Sequence, residues 1–238
     1  MEVPSGAYHA PGLRSDVHLL VTGGNGFIGR RVCERAVADG HEVTSVARSG
    51  PPAPEHRGSW TDAVEWVAAD VFAPHEWRDR LETVDCLVHS VGVIDEDPTA
   101  GVTFERVNGD SALVAALEAE RAGADRIVYV SSSAKPPLVR EAYISARRRA
   151  EAAIADLDPT VVIPRFGPVY GPDQPHFPAV ANRLFAAVGR VEPVARLFGA
   201  DRPLSVERAA DVTYRLAAMG SPPTGVVTGP EWIGSAEE

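Results

Sequence analysis

Apolar and polar positions along this chain follow two periods in turn. Short runs dense in Val, Leu and Ile at residues 18–22, 42–47, 63–69, 85–90, 126–131 and 160–165 are bounded by Gly, Pro, Asp or Ser and read as strands. Between them, apolar residues recur every three or four positions, which predicts helices over 27–39, 103–122 and 142–156 and a short one over 76–81. In the first helix, Ile28, Val32, Ala36 and Val37 form the apolar stripe and Gly40 is a fitting stop. Near-continuous apolar strands suit a sheet covered on both faces. Strands alternating with helices therefore imply an α/β fold built on a doubly wound parallel sheet.

The ends depart from this rhythm. Residues 1–15 carry Pro4, Gly6, Pro11 and Gly12 without periodicity and read as a flexible leader. Residues 48–59 form a loop rich in Pro and Gly. Beyond Arg165 the chain turns to Pro-rich loops, helices over 179–187 and 206–219, and a last strand near 225–228. The expected division is a leader (1–15), a nucleotide-binding domain (16–165) and a small C-terminal lobe (166–238) integrated with it. That lobe belongs over the C-terminal ends of the strands, where open α/β sheets bind ligands.

Composition narrows the function. A chain of 238 residues, 45% hydrophobic and 24% charged, is long enough for one full α/β core and too short for two large domains. A formal net charge of -10 argues against a nucleic-acid partner, since phosphate backbones need clustered cations. Lys135 is the only lysine among 23 basic residues, a bias that marks no site. Cys33 and Cys86 lack the spacing of a metal or redox pair and read as small buried hydrophobes in a reducing compartment. No metal site is expected. No apolar run reaches the roughly 20 residues that span a bilayer, and no signal-peptide pattern opens the chain, so a cytoplasmic protein is expected. The segment 179–187 is mildly amphipathic; it reads as core-facing in preference to a lipid anchor, and peripheral contact with a membrane stays open.

The first strand runs into Thr22-Gly23-Gly24-Asn25-Gly26-Phe27-Ile28-Gly29 and then a helix. Gly23 and Gly26 would let the backbone turn tightly and approach a pyrophosphate, and Gly29 would let the helix pack on the strand. Phosphates would then meet the free N–H groups of the helix N-terminus. Glycine-rich turns also arise for purely structural reasons, but strand, turn and helix in this order favour nucleotide binding. About 20 positions on, where a carboxylate would hold the ribose of NAD, stands Arg48. Its planar fork suits a 2′-phosphate, so NADP(H) is favoured over NAD(H), with Arg30 as a second cation; the other reading of Arg48 is a solvated loop residue. Asp70, followed by Val71 at the end of the third strand, could accept from an adenine amino group, and Ser90-Val91-Gly92 would lie along the cofactor.

Catalytic candidates follow the fifth strand. It ends in Ser131-Ser132-Ser133, and Tyr143 and Arg147 open the next helix at i and i+4, on one face. A nearby cation favours phenolate, as a general acid or base requires, and a serine hydroxyl could polarise a carbonyl. The alternative is a surface Tyr beside a solvated run, Arg147 to Arg149.

The glycine turn, Asp70-Val71, Val107-Asn108, Val130 to Ser133, Tyr143 to Glu151 and Arg165-Phe-Gly-Pro-Val-Tyr-Gly171 fall in order and resemble the extended and atypical short-chain dehydrogenase/reductases over about residues 19–219. Residues 43–50, His89 to Gly92 and Tyr143 to Glu151 look most like the atypical branch, which holds a mitochondrial ubiquinone-biosynthesis accessory protein and the nucleotide-binding accessory subunit of respiratory complex I. The resemblance implies a Rossmann-like fold and places Ser133, Tyr143 and Arg147 at the family's Ser-Tyr-Lys positions. Arginine keeps the charge of that lysine but not its point ammonium.

Two functions stand nearly level. One is an NAD(P)-dependent oxidoreductase acting on a small carbonyl, alcohol or quinone-like compound. The other is a non-catalytic NADPH-binding accessory or sensor protein in a quinone-related or respiratory assembly, with a protein partner. A sugar-nucleotide epimerase is disfavoured, because only about 70 residues follow the sixth strand.

Overall fold

In a computed structural model the described residues are 12–135 and 139–228, without the side chains of residues 192 and 196. The chain runs β1 (His18–Thr22), α1 (Gly29–Ala38), β2 (Glu42–Ala47), β3 (Val64–Ala68), β4 (Cys86–His89), α2 (Ser111–Ala122), β5 (Arg126–Tyr129), β6 (Ser131–Ser132), α3 (Glu141–Ile154) and β7 (Thr160–Phe166). It continues through β8 (Val169–Tyr170), α4 (Ala179–Arg190), α5 (Glu192–Arg196), β9 (Leu204–Ser205), α6 (Val206–Ala218) and β10 (Gly225–Val227). The main sheet is ordered β10-β7-β5-β4-β1-β2-β3 with β6 also on β7, and every pairing in it is parallel. The fold is Rossmann-like α/β, and the strand expected near 225–228 closes the sheet beyond β7.

Alternation along the strands sorts the core into two layers. Leu19 and Val21 of β1, Cys86 and Val88 of β4 and Val128 of β5 meet Val32, Cys33 and Ala36 of α1 and Ala209, Ala210 and Leu216 of α6. Leu20, Leu87, Ile127 and Ile163 face the other way, onto Ala112, Ala115, Ala116 and Ala119 of α2 and Ala150 and Ile154 of α3. The alanines of α2 let that helix approach the sheet closely, and the apolar residues of the central strands are taken from water on one face or the other, at about 1.5–3 kcal/mol for a large side chain, whereas Val226 on edge strand β10 is 45% exposed.

Several expected elements take another form. The stretch 103–122 is not one α-helix, because Glu105–Asp110 winds as a π-helix before α2 begins. There the side chain of Asn108 donates to Val93 O (2.8 Å) and accepts from Val93 N (2.8 Å), while Tyr129 Oη donates to Asn108 O (2.8 Å). Those tertiary bonds hold the widened turn in place. The helix expected over 76–81 is a pair of 3-10 turns, Pro74–Glu76 and Arg78–Leu81. The fifth strand divides because it changes partner: Val130 N still donates to His89 O, whereas Ser131 and Ser132 pair with Arg165 and Phe166 of β7. The first helix starts two residues later than expected, since Phe27 and Ile28 belong to the turn.

At the N-terminal end, residues 1–11 of the expected leader lie outside the described residues. Beyond them Gly12 O accepts from Gly220 N and Arg14 N donates to Ala218 O, tying this end to the close of α6. After β7, the two-stranded β8-β9 sheet carries α4 beside the C-terminal ends of the main strands; the stretch 229–238 lies outside the described residues.

Candidate functional site

The turn after β1 is held by glycine in three different ways. Gly23 has φ +75°, a left-handed conformation that a side chain would strain. At Gly29 a Cβ would collide with the carbonyl oxygen of Gly23, and at Gly24 with the Ser45 hydroxyl of β2. Gly24 carries as much of the packing as its neighbours, which the spacing of the other three glycines does not reveal. Gly26 N donates to Gly23 O (2.9 Å), closing the turn.

A cavity of about 840 Å3 opens above this turn. It is lined by Gly23, Asn25, Gly26, Phe27 and Ile28 from the turn, by Arg48 beyond β2, and by Asp70 and Val71 beyond β3. Ser90, Val91, Gly92, Ser133, Tyr143 and Arg147 complete the set that the sequence singles out. Of the positions the sequence singles out, Thr22, Gly29 and the second cation Arg30 stay off the wall. Thr22 Oγ1 instead bonds His89 Nδ1 (2.8 Å) in the interior, and Gly29 is spent on helix packing.

At one end, Arg48 is exposed and has no ion-pair partner among the described residues, while Asn25 Nδ2 donates to Ser49 Oγ (2.8 Å) beside it. A free guanidinium next to two polar side chains could hold a phosphate. Arg30 does not join it: its Nη2 lies 3.2 Å from Asp173 Oδ2, and burial lowers its pKa. Asp70 Oδ1 accepts from Phe72 N (2.9 Å), and the guanidinium carbon of Arg106 sits 3.9 Å from the centroid of the Phe72 ring. Both Phe72 and Arg106 line the cavity, offering a flat surface near Asp70 that the sequence does not signal, because the turn after β3 and the π-helix before α2 bring them together.

At the other end stand the catalytic candidates. Tyr143 is buried, in edge contact with Phe104 at 5.6 Å between ring centroids, and Arg147 lies beneath its ring at 5.0 Å. Arg147 Nη1 donates to Val130 O (3.1 Å), and its Nε is buried with no partner among the described residues. Burial opposes the charge of Arg147, but the phenols of Tyr143 and Tyr129 outweigh it and leave the guanidinium pKa raised. Arg147 is therefore an interior cation under the site, not a solvated one. Ser133 Oγ is likewise buried without a hydrogen-bond partner among the described residues.

The strand end that carries the serines is braced from below by a charge cluster. Ser131 Oγ donates to Glu151 Oε1 (2.5 Å), and Glu151 also accepts from Arg148 (2.6 Å) and Arg165. Arg148 Nη2 in turn donates to the carbonyls of Ser132 and Ser133, both at 2.9 Å. In the sequence Arg148 enters only through the alternative of a solvated run, since the one-dimensional pattern does not show that β6 ends over it. Much of the remaining wall is apolar (Phe166, Val169, Phe177, Leu184, Phe185, Val188 and Phe198), with Lys135, Gln174, His176 and Asp201 set among these residues.

A model of the NAD dependent epimerase/dehydratase family matches residues 19–195. Among curated relatives, MIOREX complex component 2 of Saccharomyces cerevisiae is 31% identical over 62% of this chain and 72% of its own length. Ceramide reductase of Caulobacter vibrioides is 32% identical over 65% of this chain, which spans about half of that protein (47%). Among solved structures, the Bordetella bronchiseptica enzyme WbmG in complex with NAD matches 90% of this chain and 73% of its own at a TM-score of 0.67 and 20% identity. A UDP-N-acetylglucosamine 4-epimerase from Methanobrevibacter ruminantium matches 92% of this chain and 81% of its own at 0.65 and 18% identity. At that identity the structural likeness speaks for the fold alone.

Proposed function

The chain belongs to the NAD dependent epimerase/dehydratase family, and from that footing we propose that it is an NAD(P)(H)-dependent reductase of an apolar carbonyl or quinone-like compound. The observation that carries this is Ser133 Oγ, a buried hydroxyl without a hydrogen-bond partner among the described residues, on the same cavity wall as Tyr143 and Arg147. A buried polar group left unsatisfied costs about 1–3 kcal/mol, and a substrate oxygen placed there would remove the penalty. The residues fit a dinucleotide: the glycine turn admits a pyrophosphate, Asp70 an adenine amino group, and Arg48 with Ser49 a 2′-phosphate, which favours NADP(H). A bound nicotinamide supplies the hydride. Tyr143 would donate the proton to the substrate oxygen, Ser133 would donate a hydrogen bond to the same oxygen, and Arg147 would hold positive charge beneath the phenol.

The aromatic stretch of the wall, Phe166, Phe177, Phe185 and Phe198, interrupted by Gln174 and His176, supports a largely apolar substrate in preference to a sugar nucleotide. The relative named for ceramide reduction supports the same class.

A second reading rests on Arg147 itself. With Nη1 given to Val130 O, it is an imperfect substitute for a lysine, and that favours an accessory protein that binds NADPH without turnover. The relative named as a component of the MIOREX complex accords with a protein partner for such a role. The test is NADPH oxidation with a medium-chain ketone or a short-chain quinone. Turnover that falls about 100-fold in Ser133→Ala and Tyr143→Phe supports the reductase. NADPH binding with no turnover, in wild type and Arg147→Lys alike, overturns it in favour of the accessory reading.

A further inference from the structure

The helix α4 has already used one face. Asn182 Oδ1 accepts from Gly171 N (3.0 Å) and Asn182 Nδ2 donates to Gly171 O (2.9 Å), while a Cβ on Gly189 would fall 2.5 Å from the Tyr170 ring, so this stripe is pressed onto β8. The opposite stripe, Val180 and Leu184 at i and i+4, is open, and Val191 follows at the C-terminal end of the helix: these residues are 78%, 61% and 49% exposed. Leu197 (84%) and Phe198 (50%), just beyond α5, extend the patch, as does Val194. A folded domain seldom leaves so many large apolar side chains together in water without a partner. The expectation that 179–187 is simply core-facing therefore describes only half of the helix.

We propose that this surface docks the protein on an anionic lipid bilayer and that the cavity opens onto the membrane. Two observations select a bilayer. First, α4 holds two arginines, Arg183 and Arg190, and no acidic residue, in a chain whose net charge is -10. Arg183 and Arg190 are exposed beside the apolar stripe, so charge and apolar surface coincide locally, and at physiological salt more distant acidic residues are screened beyond about 10 Å. A second copy of this chain would bring like arginines together near a two-fold axis, whereas lipid phosphates would neutralise them. Second, the patch continues inward: Leu184 and Phe198 are both exposed and on the cavity wall, followed by Phe185 and Val188. An apolar substrate could pass from the acyl region to the site without crossing water. The docking surface does not depend on the reductase reading, because binding to lipid needs no turnover.

The experiment is co-sedimentation of the full chain with vesicles of phosphatidylcholine alone and of phosphatidylcholine with phosphatidylglycerol. Binding to the mixed vesicles, weakened by salt and by Arg183→Gln with Arg190→Gln, is expected. Val180→Asp with Leu197→Asp, neither of which lines the cavity, should lower partitioning at least about tenfold, with circular dichroism and NADPH binding unchanged. Absence of sedimentation with the mixed vesicles, or equal sedimentation of wild type and both variants, overturns the proposal. So does a wild-type dimer in sedimentation equilibrium that the apolar variants split, which would assign the surface to a second copy.

Discussion

The guanidinium of Arg147 lies against Gly92, so closely that a Cβ at position 92 would fall 2.5 Å from Nη2. Glycine at 92 leaves room for the planar head of Arg147 and for Asn108 Oδ1, which a Cβ would approach to 3.1 Å. Gly92→Ala should displace the guanidinium from beneath Tyr143 and weaken NADPH binding by about 1–3 kcal/mol, with far-ultraviolet dichroism preserved. Titration calorimetry checks it, and unchanged affinity would show that the Arg147 position is irrelevant to the ligand.

Gly29→Ala meets a backbone oxygen instead of a flexible side chain, since its Cβ would strike Gly23 O. The turn cannot yield without opening, so loss of detectable nucleotide binding is expected together with a fall in stability of about 1–3 kcal/mol. Thermal melts with and without NADPH separate the two effects.

Arg48 is expected to discriminate between cofactors. Removing one charge-assisted phosphate contact costs about 1.5–3 kcal/mol, so Arg48→Ala should weaken NADPH at least about tenfold and leave NADH nearly unchanged. Equal losses for the two cofactors, or tighter NADH binding by wild type, would remove the argument for a 2′-phosphate.

His89 sets an acid limit on stability. Its Nδ1 accepts from Thr22 Oγ1, and its Nε2 donates to Ser111 Oγ, whose proton goes to Val107 O, so the ring is neutral with the proton on Nε2. Burial, reinforced by the Arg147 cation, pushes its pKa down to about 3. The unfolded chain titrates near the ordinary value of about 6.5, so between these values it binds a proton that the native state refuses. Stability contributed here is present above pH 6.5 and is lost as pH falls, by up to about 1.4 kcal/mol per pH unit. Urea unfolding at neutral and mildly acid pH should show that slope in wild type and a shallower one in His89→Gln; parallel curves would refute the assignment.

Glu151→Gln removes the buried charge that holds Arg148, Arg165 and Ser131 together. Leaving two part-exposed guanidinium groups without their carboxylate should cost about 1–3 kcal/mol, read from the urea midpoint. Because Arg148 carries the carbonyls of Ser132 and Ser133, any surviving activity should fall further than Tyr143 placement alone would explain.

The sequence by itself determined the sheet and the turn. Strand runs such as Leu19 to Val21 must be buried on both faces, and only glycine serves at positions 23 and 29, so periodicity and residue type were enough. The bounds of α2 and β5 were not legible, because Asn108 and Tyr129 fix the π-helical turn through partners on other elements, and Ser131 leaves the main run by pairing with Arg165. Within the site, Arg48 and Tyr143 could be named from spacing, which is a local property. Whether Arg147 faces solvent or the interior, whether Arg30 helps Arg48 or pairs with Asp173, and which stripe of α4 meets β8 all depend on chain segments up to about 140 residues away. Local pattern fixes which face of an element is apolar; only the packed tertiary structure fixes what that face meets.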